Sequence, residues 1–172
     1  MKSIFQDWRA NHGNLKGRLI LLLFRLAHAI RHAHPMILFL VWPYLPFYRL
    51  GVEWVLGIEL PWKLRIGPGL KLYHGQGLVV NDGSILGANC TLRNGTTIGH
   101  KILANGFVSG CPILGDEVDV GAQAVLLGPI RVGNHAVIGA GAVVVKDVPD
   151  YAVVVGNPAR VIRIKAQDSG AI

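Results

Sequence analysis

The stretch Leu70–Val80 contains the residue with the clearest potential for chemistry. His74 stands between two apolar runs and is followed by Gly75 and Gly77. An imidazole has an ordinary pKa of about 6.5, so it can accept a proton at neutral pH and act as a general base. A histidine next to glycines can equally be a polar residue where a strand turns a corner. The residues alone leave both roles open.

The cysteines offer a weaker candidate. Cys90 and Cys111 are the only two, so no disulfide framework is possible and a reducing compartment is expected. Cys111 could act as a nucleophile, but no basic residue adjoins it to stabilise a thiolate. We therefore predict that Cys111 is a small loop residue.

Composition limits the class of protein. A chain of 172 residues forms one domain or a compact domain with an extension, and 51% hydrophobic residues argue against disorder. The 22 glycines follow no collagen triplet and indicate tight turns repeated many times. A net charge of +7 suits an anionic ligand or surface, without choosing between a nucleotide, a nucleic acid and a phospholipid.

The N-terminal part is apolar but has no predicted membrane span. The first residues lack the layout of a signal peptide. The apolar run Leu19–Phe24 ends at Arg25, and Pro43 and Pro46 interrupt the next one, so neither reaches the ~20 residues that a spanning helix needs. We expect a soluble, cytoplasmic protein.

Residues 1–57 are predicted to form an N-terminal helical segment. Helix-forming residues extend from Leu15 to about His34, where Pro35 follows, and a second helical stretch is expected over Tyr44–Leu56. The segment can pack against the rest of the chain or a second subunit. Its aromatic and basic residues also suit a membrane surface, and the two roles are compatible.

From Ile66 onwards the chain repeats every six residues. An aliphatic residue begins each unit, a glycine often follows it, and a small or apolar residue comes four places later. The aliphatic positions are Ile66, Leu72, Leu78, Leu86, Leu92, Ile98, Leu114, Val120, Leu126, Val132, Ile138 and Val144. Persistence over about a dozen units makes this hexapeptide repeat a strong signal.

The period predicts a parallel β-helix. Six residues give one short strand and a turn, and three such units close a triangular coil of about 18 residues. The aliphatic side chain points inward, and the small residue, for example Cys90, fills the narrow interior. Open ends would expose strand edges, so we expect the N-terminal helices to cover one end and the "NPARVIRIK" segment to cover the other. The predicted β-helix covers residues 58–165, and residues 166–172 form a tail.

The repeat is interrupted twice. Eight residues instead of six separate Leu78 from Leu86, and the extra ones form a bulge with the sequence "NDG". Sixteen residues separate Ile98 from Leu114, which predicts an excursion loop at about residues 99–113. Loops that leave a rigid scaffold often carry binding sites, and His74 is predicted to lie beneath this one.

At these residues the chain resembles the hexapeptide-repeat acyltransferases. The similarity covers Glu59–Ala159 and is greatest to the serine acetyltransferases and the colanic-acid-type exopolysaccharide O-acetyltransferases. The motifs that carry it are "IGPGLKLYHGQGLVV", "TIGHK…GCPILGDEVDVGAQAVLLG", "VIGAGAVVVKDVP" and "VVGNPARVI". The "DWRAN" at Asp7–Asn11 also matches the start of the exopolysaccharide group.

The resemblance implies a left-handed parallel β-helix, a homotrimer, and acetyl-CoA bound in the groove between subunits. It implies that His74 is the general base and that Glu59, fifteen residues earlier, orients its imidazole. Such a pair suits the chemistry, because the base removes a proton from an attacking hydroxyl while the carboxylate stabilises the imidazolium. The thiolate of coenzyme A then leaves without an acyl-enzyme.

The resemblance also assigns binding residues. Backbone groups near four small residues match the acetyl-CoA positions, and three basic residues are candidates for its phosphates: Gly121, Ala122, Ala140, Gly141, Lys146, Arg160 and Arg163. Tyr73, Cys111 and His100 are predicted to contact the acceptor. No metal and no nucleic acid are expected.

Two departures from the serine acetyltransferase pattern bear on the acceptor. Tyr73 stands where those enzymes have Asp, and Gly110, Cys111 and Pro112 replace their Arg-His-Pro. Both changes remove groups suited to an amino-acid zwitterion, and the "CP" is shared with the exopolysaccharide group. We therefore expect a sugar or polysaccharide-precursor hydroxyl as acceptor, at the cytoplasmic face of the membrane. Serine O-acetylation is the alternative; a metal-dependent β-helix lyase and a non-catalytic scaffold are weaker alternatives.

Overall fold

The computed structural model describes residues 3–31, 41 and 43–166, and its N-terminal part is helical. Helix α1 spans Leu15–Arg31, helix α2 spans Tyr44–Tyr48, and a π-helix continues α2 over Arg49–Val55. These helices lie within the two predicted stretches. Residues 32–34 of the first stretch and 167–172 of the predicted tail lie outside the described residues.

The rest of the described chain is a parallel β-helix of short strands. They are β1 (Arg65–Ile66), β2 (Lys71–Tyr73), β3 (Val79–Val80), β4 (Ile85–Leu86), β5 (Thr91–Arg93), β6 (Thr97–Gly99), β7 (Ile113–Leu114), β8 (Asp119–Val120), β9 (Val125–Leu127), β10 (Arg131–Val132), β11 (Val137–Ile138), β12 (Val143–Val144), β13 (Ala152–Val155) and β14 (Arg160–Ile164).

From β1 to β12 every third strand joins the same face of a triangular prism, and β13 and β14 both extend one of these faces. Sheet I has the order β1-β4-β7-β10, sheet II the order β14-β13-β11-β8-β5-β2, and sheet III the order β12-β9-β6-β3. All pairings in these sheets are parallel except that between β13 and β14. The chain therefore winds through about four coils.

The hexapeptide pattern explains this winding. The aliphatic residue of each unit points into the prism, and Leu72, Leu92, Val120 and Ile138 are each at most 1% exposed. Cys90, in a small column, is fully buried as predicted. Gly121 shows why glycine follows an inward aliphatic residue: a Cβ there would lie 2.5 Å from the backbone nitrogen of Ala140 in the next coil.

The N-terminal residues cover the open end of sheet II. The Asp7 carboxylate accepts from the Leu70 N–H at 2.9 Å. Asn11 accepts from the Leu72 N–H at 3.0 Å and donates to the Leu70 carbonyl at 2.8 Å. These side chains therefore make the hydrogen bonds that a further strand would make, and they satisfy backbone groups that would otherwise be exposed at a sheet edge.

A buried ion pair holds this cover in place. Arg25 of α1 contacts Asp7 at 2.7 Å, and the two residues are 5% and 3% exposed. The Arg25 guanidinium also donates to the carbonyls of Ile66 and Gly67 at 3.0 and 2.6 Å. At the opposite end β14 folds back antiparallel on β13. Both ends are covered by the segments that the sequence predicts.

Two edges of the prism matter for function. The II–III edge is the corner where each strand of sheet II leads into sheet III, and it includes residues 74–78, 94–96, 121–124 and 139–142. The III–I edge is the corner where sheet III leads into sheet I, and it includes residues 81–84 and 100–112. The second range is the excursion loop, which leaves between β6 and β7.

Candidate active site

His74 lies on the II–III edge, directly after β2. Its backbone has φ +63°, a left-handed conformation that few residues with a side chain adopt. Gly75 follows with φ +75°, and a Cβ there would lie 3.0 Å from Ile58 Cδ1. The tight turn therefore fits glycine after the histidine and leaves the imidazole exposed at the corner.

The small residues predicted to bind acetyl-CoA lie on the same edge. Tyr73 pairs with Arg93, so His74 lies opposite Asn94 in the next coil. The registers of the following strands continue this column through Ala122 to Ala140. Adjacent strands are about 4.8 Å apart, so Ala122 lies roughly 10 Å and Ala140 roughly 14 Å along the edge from His74.

The end of this edge that lies farthest from His74 is open to solvent. Ala140 and Gly141 are exposed, and a Cβ added at Gly141, where φ is +67°, would meet nothing within 4 Å. The Gly141 N–H is used within the coil, because it donates to the Ala122 carbonyl at 2.9 Å. The structure thus brings His74, Gly121, Ala122, Ala140 and Gly141 onto one continuous edge.

The predicted phosphate-binding cations are not gathered at one place. Arg160 and Arg163 lie on β14, where they pair with Val155 and Val153 respectively. Lys146 follows β12 and lies on the III–I edge. All three are exposed. Within a single chain only Arg160, opposite the end of β13, is near the II–III edge.

Glu59 does not contact His74 in this chain. Glu59 pairs with Val79 at the start of sheet III, and its exposed side chain lines a cavity of about 280 Å³ with Arg49, Trp62, Lys63 and Asp82. Across the described residues, neither the Glu59 carboxylate nor the His74 imidazole has a hydrogen bond or ion pair. Both side chains are exposed, so no packing fixes their rotamers. The orientation of His74 by Glu59 remains a prediction.

Two cations contact the ring of Tyr73 on the outer face of sheet II. The Lys71 ammonium lies 4.9 Å and the Arg93 guanidinium 5.4 Å from the centre of its ring. Arg93 in turn pairs with Asp119 and donates to the Val120 carbonyl at 2.9 Å. The residue before His74 is thus a fixed, half-buried aromatic ring.

On the III–I edge, Asn81 connects His100 and Cys111, and Asn81 was not among the residues predicted from the sequence. Asn81 Nδ2 lies 3.2 Å from His100 Nδ1, and the Cys111 thiol donates to Asn81 Oδ1 at 3.2 Å. The expectation that His74 lies beneath the excursion loop is wrong for a single chain. The loop leaves the III–I edge, and sheet III separates that edge from His74.

The Cys111 thiol is not prepared to act as a nucleophile. Burial raises its pKa above the ordinary value, and the Asp82 carboxylate raises it further, while the Ser84 hydroxyl opposes these effects. The thiol is therefore protonated at neutral pH. Burial also raises the pKa of the Cys90 thiol, to about 11.

Three residues of this surface escaped sequence analysis: Asn81, Lys71 and Arg93. The signal for Asn81 was the eight-residue spacing that places it at the start of the bulge. Lys71 and Arg93 occupy outward positions in neighbouring coils, but only the register shows that they flank Tyr73. Among the residues that the structure describes, no group of three or more His, Cys, Asp or Glu side chains could hold a metal ion.

Comparisons with known proteins agree with this geometry. The chain is 36% identical over 165 residues to the "Putative colanic acid biosynthesis acetyltransferase WcaB" of Escherichia coli (strain K12), covering 94% of this chain and 100% of that protein. It is 35% identical over 148 residues to a serine acetyltransferase of Helicobacter pylori, covering 83% and 78%. No protein-family model matches the chain.

Solved structures show the same architecture. A crystal structure of Neisseria gonorrhoeae serine acetyltransferase matches with a TM-score of 0.76 and 30% identity, over 96% of this chain and 67% of that one. A serine acetyltransferase in complex with CoA matches with a TM-score of 0.73 and 26% identity, over 92% of this chain and 68% of that one. The chain thus spans about two thirds of these enzymes.

The fold is a left-handed parallel β-helix, and the protein is an acetyltransferase that uses acetyl-CoA. The chain belongs to the hexapeptide-repeat acetyltransferases of the serine acetyltransferase type.

Proposed function

We propose that this enzyme transfers acetyl from acetyl-CoA to a hydroxyl of a sugar or polysaccharide precursor, with His74 as the general base. The observation that carries the proposal is the II–III edge. It presents His74 at one end, the small residues Ala122 and Ala140 along its length, and an open position at Gly141 at the other end. An extended pantetheine arm can lie along this line and bring its thioester to His74.

The proposed reaction is a direct transfer. The His74 imidazole accepts the proton of the acceptor hydroxyl while its oxygen attacks the thioester carbonyl, and the tetrahedral intermediate expels the thiolate of coenzyme A. The imidazolium then returns the proton to the thiolate. Glu59, once its side chain turns towards His74, stabilises the imidazolium and fixes its tautomer. Atoms and charge balance without a covalent enzyme intermediate.

A glycan acceptor is favoured by the surroundings of His74. The aromatic ring of Tyr73, which contacts Lys71 and Arg93, precedes the base. Tyr73 carries no carboxylate that could pair with the ammonium group of free serine, and Lys71 and Arg93 already occupy the cation–π contacts of its ring. The relative named for colanic acid biosynthesis, which this chain matches over 94% of its length, supports the same acceptor class.

Serine O-acetylation is the second candidate. Several relatives at 31–42% identity are named serine acetyltransferases, and they support transfer to a small hydroxyl. The two candidates are separated by mass spectrometry of products. Purified enzyme is incubated with acetyl-CoA and either L-serine, nucleotide sugars or extracted lipid-linked glycans. We expect a mass increase of one acetyl group on a glycan, and acetylation of L-serine alone would overturn the glycan assignment.

We also propose that the active enzyme is a homotrimer. The predicted site residues divide between two edges: His74 and the small residues on the II–III edge, and His100, Cys111 and Lys146 on the III–I edge. Sheet III lies between them, so one chain cannot bring them together. Threefold symmetry places the II–III edge of one subunit against the III–I edge of its neighbour and completes three equal sites.

We further propose that the π-helical region contacts the cytoplasmic face of an anionic membrane. Trp54 and Phe47 are 74% and 72% exposed, and Trp54 and Leu50 line an apolar groove of about 550 Å³. Residues 1–65 carry nine basic and three acidic side chains, whereas the rest of the chain carries eight and seven. Exposed aromatic residues within a basic region fit an anionic lipid surface. No described helix is long and apolar enough to span a bilayer.

Vesicle sedimentation tests this contact. The protein should sediment with vesicles that contain phosphatidylglycerol, and the double variant Phe47→Ser with Trp54→Ser should bind at least ten times more weakly. Phe5→Ser, which removes an aromatic side chain 55% exposed elsewhere, is the matched control and should bind like the unmodified protein. The proposal would be contradicted if the double variant bound the vesicles as tightly as the unmodified protein does. It would also be contradicted if the double variant lost self-association while its lipid binding stayed unchanged.

A further inference from the structure

The hydrogen bonds at the base of the excursion loop fix the direction of each donor. The Gly83 N–H lies 3.0 Å from one side-chain atom of Asn81. A backbone N–H can only donate, so this atom must be Oδ1, and the other is the amide nitrogen Nδ2. The orientation of the Asn81 amide is therefore determined by its contact with the bulge.

The orientation of Asn81 determines the tautomer of His100. Asn81 Nδ2 can only donate, and it faces His100 Nδ1 at 3.2 Å. His100 Nδ1 must therefore be the unprotonated nitrogen, which leaves the proton of the neutral ring on Nε2. His100 is exposed, and Nε2 has no hydrogen-bond partner within the part of the chain that the structure describes. The ring thus presents one N–H donor to its surroundings.

Cys111 strengthens the same arrangement. Its thiol donates to Asn81 Oδ1 at 3.2 Å, so this oxygen accepts two hydrogen bonds, one of them from the far end of the loop. Burial, which raises the pKa of the thiol, keeps it protonated and able to donate. The Ser84 hydroxyl beside it is fully buried, and its contact with the sulfur offsets part of this rise in pKa.

We propose that Asn81 is a positioning residue that holds His100 as a neutral Nε2–H donor towards an oxygen of the acceptor. This inference rests on the proposed function, because the donor serves an acceptor that reaches the III–I edge beside His74 of the neighbouring subunit. A neutral N–H donor suits a hydroxyl or ring oxygen of a glycan. The role differs from simple anchoring of the loop, since anchoring needs only the oxygen of Asn81.

The substitution Asn81→Asp separates the two roles. An aspartate keeps an acceptor for the Gly83 N–H and the Cys111 thiol, so the base of the loop stays anchored. Its second oxygen can only accept, so His100 Nδ1 must then carry a proton. Asn134→Asp is the matched control. Asn134 Oδ1 accepts from the Asp116 N–H at 2.8 Å on another edge, and a carboxylate there preserves that bond and adds the same charge.

Two measurements on these variants test the proposal. Nitrogen-15 NMR of the histidine rings at pH 7.5 should show His100 protonated on Nε2 only in the unmodified protein and in Asn134→Asp. Asn81→Asp should show a proton on Nδ1. With the glycan that mass spectrometry identifies as acceptor, Asn81→Asp should raise the acceptor KM at least tenfold and leave the KM for acetyl-CoA within twofold.

Three outcomes would overturn the inference. They are a proton on Nδ1 in the unmodified protein, an unchanged ring in Asn81→Asp, or an unchanged acceptor KM in a variant whose ring has switched. The NMR result depends on the protein alone. If no glycan is acetylated, the proposed function and the role towards the acceptor fail, whereas the tautomer measurement still shows whether Asn81 orients His100.

Discussion

At the scale of single residues, the main question is whether Glu59 orients the imidazole of His74. His74 occupies a left-handed turn with its ring exposed, and Glu59 lines a cavity towards the III–I edge with no contact to that ring. Both carboxylate and imidazole are free to turn, because neither is held by packing or by a hydrogen bond within residues 3–31, 41 and 43–166. The proposed pairing therefore requires that one or both side chains turn before catalysis.

The first prediction concerns this pairing. Glu59→Gln should lower kcat at least about tenfold, equivalent to 1.4 kcal/mol of transition-state stabilisation, because the imidazolium loses its anionic partner. Steady-state kinetics with a saturating acceptor measures the effect. Glu53→Gln is the matched control, since Glu53 lines the same cavity but pairs with Arg49 at 3.0 Å. Equal kcat values for the two variants would remove Glu59 from the mechanism.

At the scale of elements, the segment before α1 acts as an additional strand for sheet II. Asp7 and Asn11 replace backbone hydrogen-bonding partners, and Arg25 of α1 holds Asp7 in place. A β-helix without such a cover would expose the edge of β2, and exposed strand edges promote association. The segment thus links the helical part of the chain to the coil that carries His74.

A stability prediction follows for this element. Asp7→Ala should lower the free energy of unfolding by about 3–5 kcal/mol, because it leaves the Arg25 guanidinium buried without its partner. Glu53→Gln, which removes an ion pair whose Arg49 is 56% exposed, should cost at most about 0.5 kcal/mol. Denaturant unfolding followed by circular dichroism gives both values. A cost for Asp7→Ala as small as that for Glu53→Gln would show that the cover contributes little.

A second prediction at this scale concerns the open end of the II–III edge. Gly141→Asn places a side chain where the proposed pantetheine arm lies, and asparagine tolerates the positive φ of this position. We expect the KM for acetyl-CoA to rise at least tenfold with little loss of stability. Gly13→Asn is the control, because Gly13 has φ +78° and the same open surroundings but lies before α1. An unchanged KM for acetyl-CoA would argue that the donor binds elsewhere.

At the scale of the whole molecule, the division of site residues between two edges predicts complementation between subunits. His74→Asn and His100→Ala proteins should each be weakly active. Trimers reassembled from an equal mixture should recover about a quarter of full activity, because one site in four then combines two unmodified edges. Activity of the reassembled mixture measures this. No recovery would place the whole site within a single chain.

The sequence predicted the coils well and the contacts between distant segments poorly. The coils depend on a local pattern, an aliphatic residue followed by glycine, that repeats along the chain and leaves few alternatives. The hydrogen bonds of Asp7 to Leu70 and of Asn81 to His100 and Cys111 join residues 63, 19 and 30 positions apart. No periodicity encodes them, because they depend on how the loop and the N-terminal segment dock on the finished prism.

The placement of candidate site residues shows the same difference. Gly121, Ala122, Ala140 and Gly141 are predicted to bind acetyl-CoA, and the register of sheet II brings them to the edge that carries His74. The placement of His74 under the excursion loop was wrong, since counting residues along a coil does not show which corner a residue occupies. The Glu59 carboxylate lies at the end of an exposed side chain, and no sequence pattern determines the direction of that side chain.

The most direct test of the account compares His74→Asn with His135→Asn. Both histidines have positive φ, +63° and +57°, so asparagine preserves the backbone at each position, but His135 lies on another edge, paired with Glu117. With the acceptor identified by mass spectrometry, release of coenzyme A should fall between about 10²-fold and 10⁴-fold in His74→Asn. The rate should remain within twofold in His135→Asn. Equal rates for His74→Asn and the unmodified enzyme would contradict the role of His74 as the base.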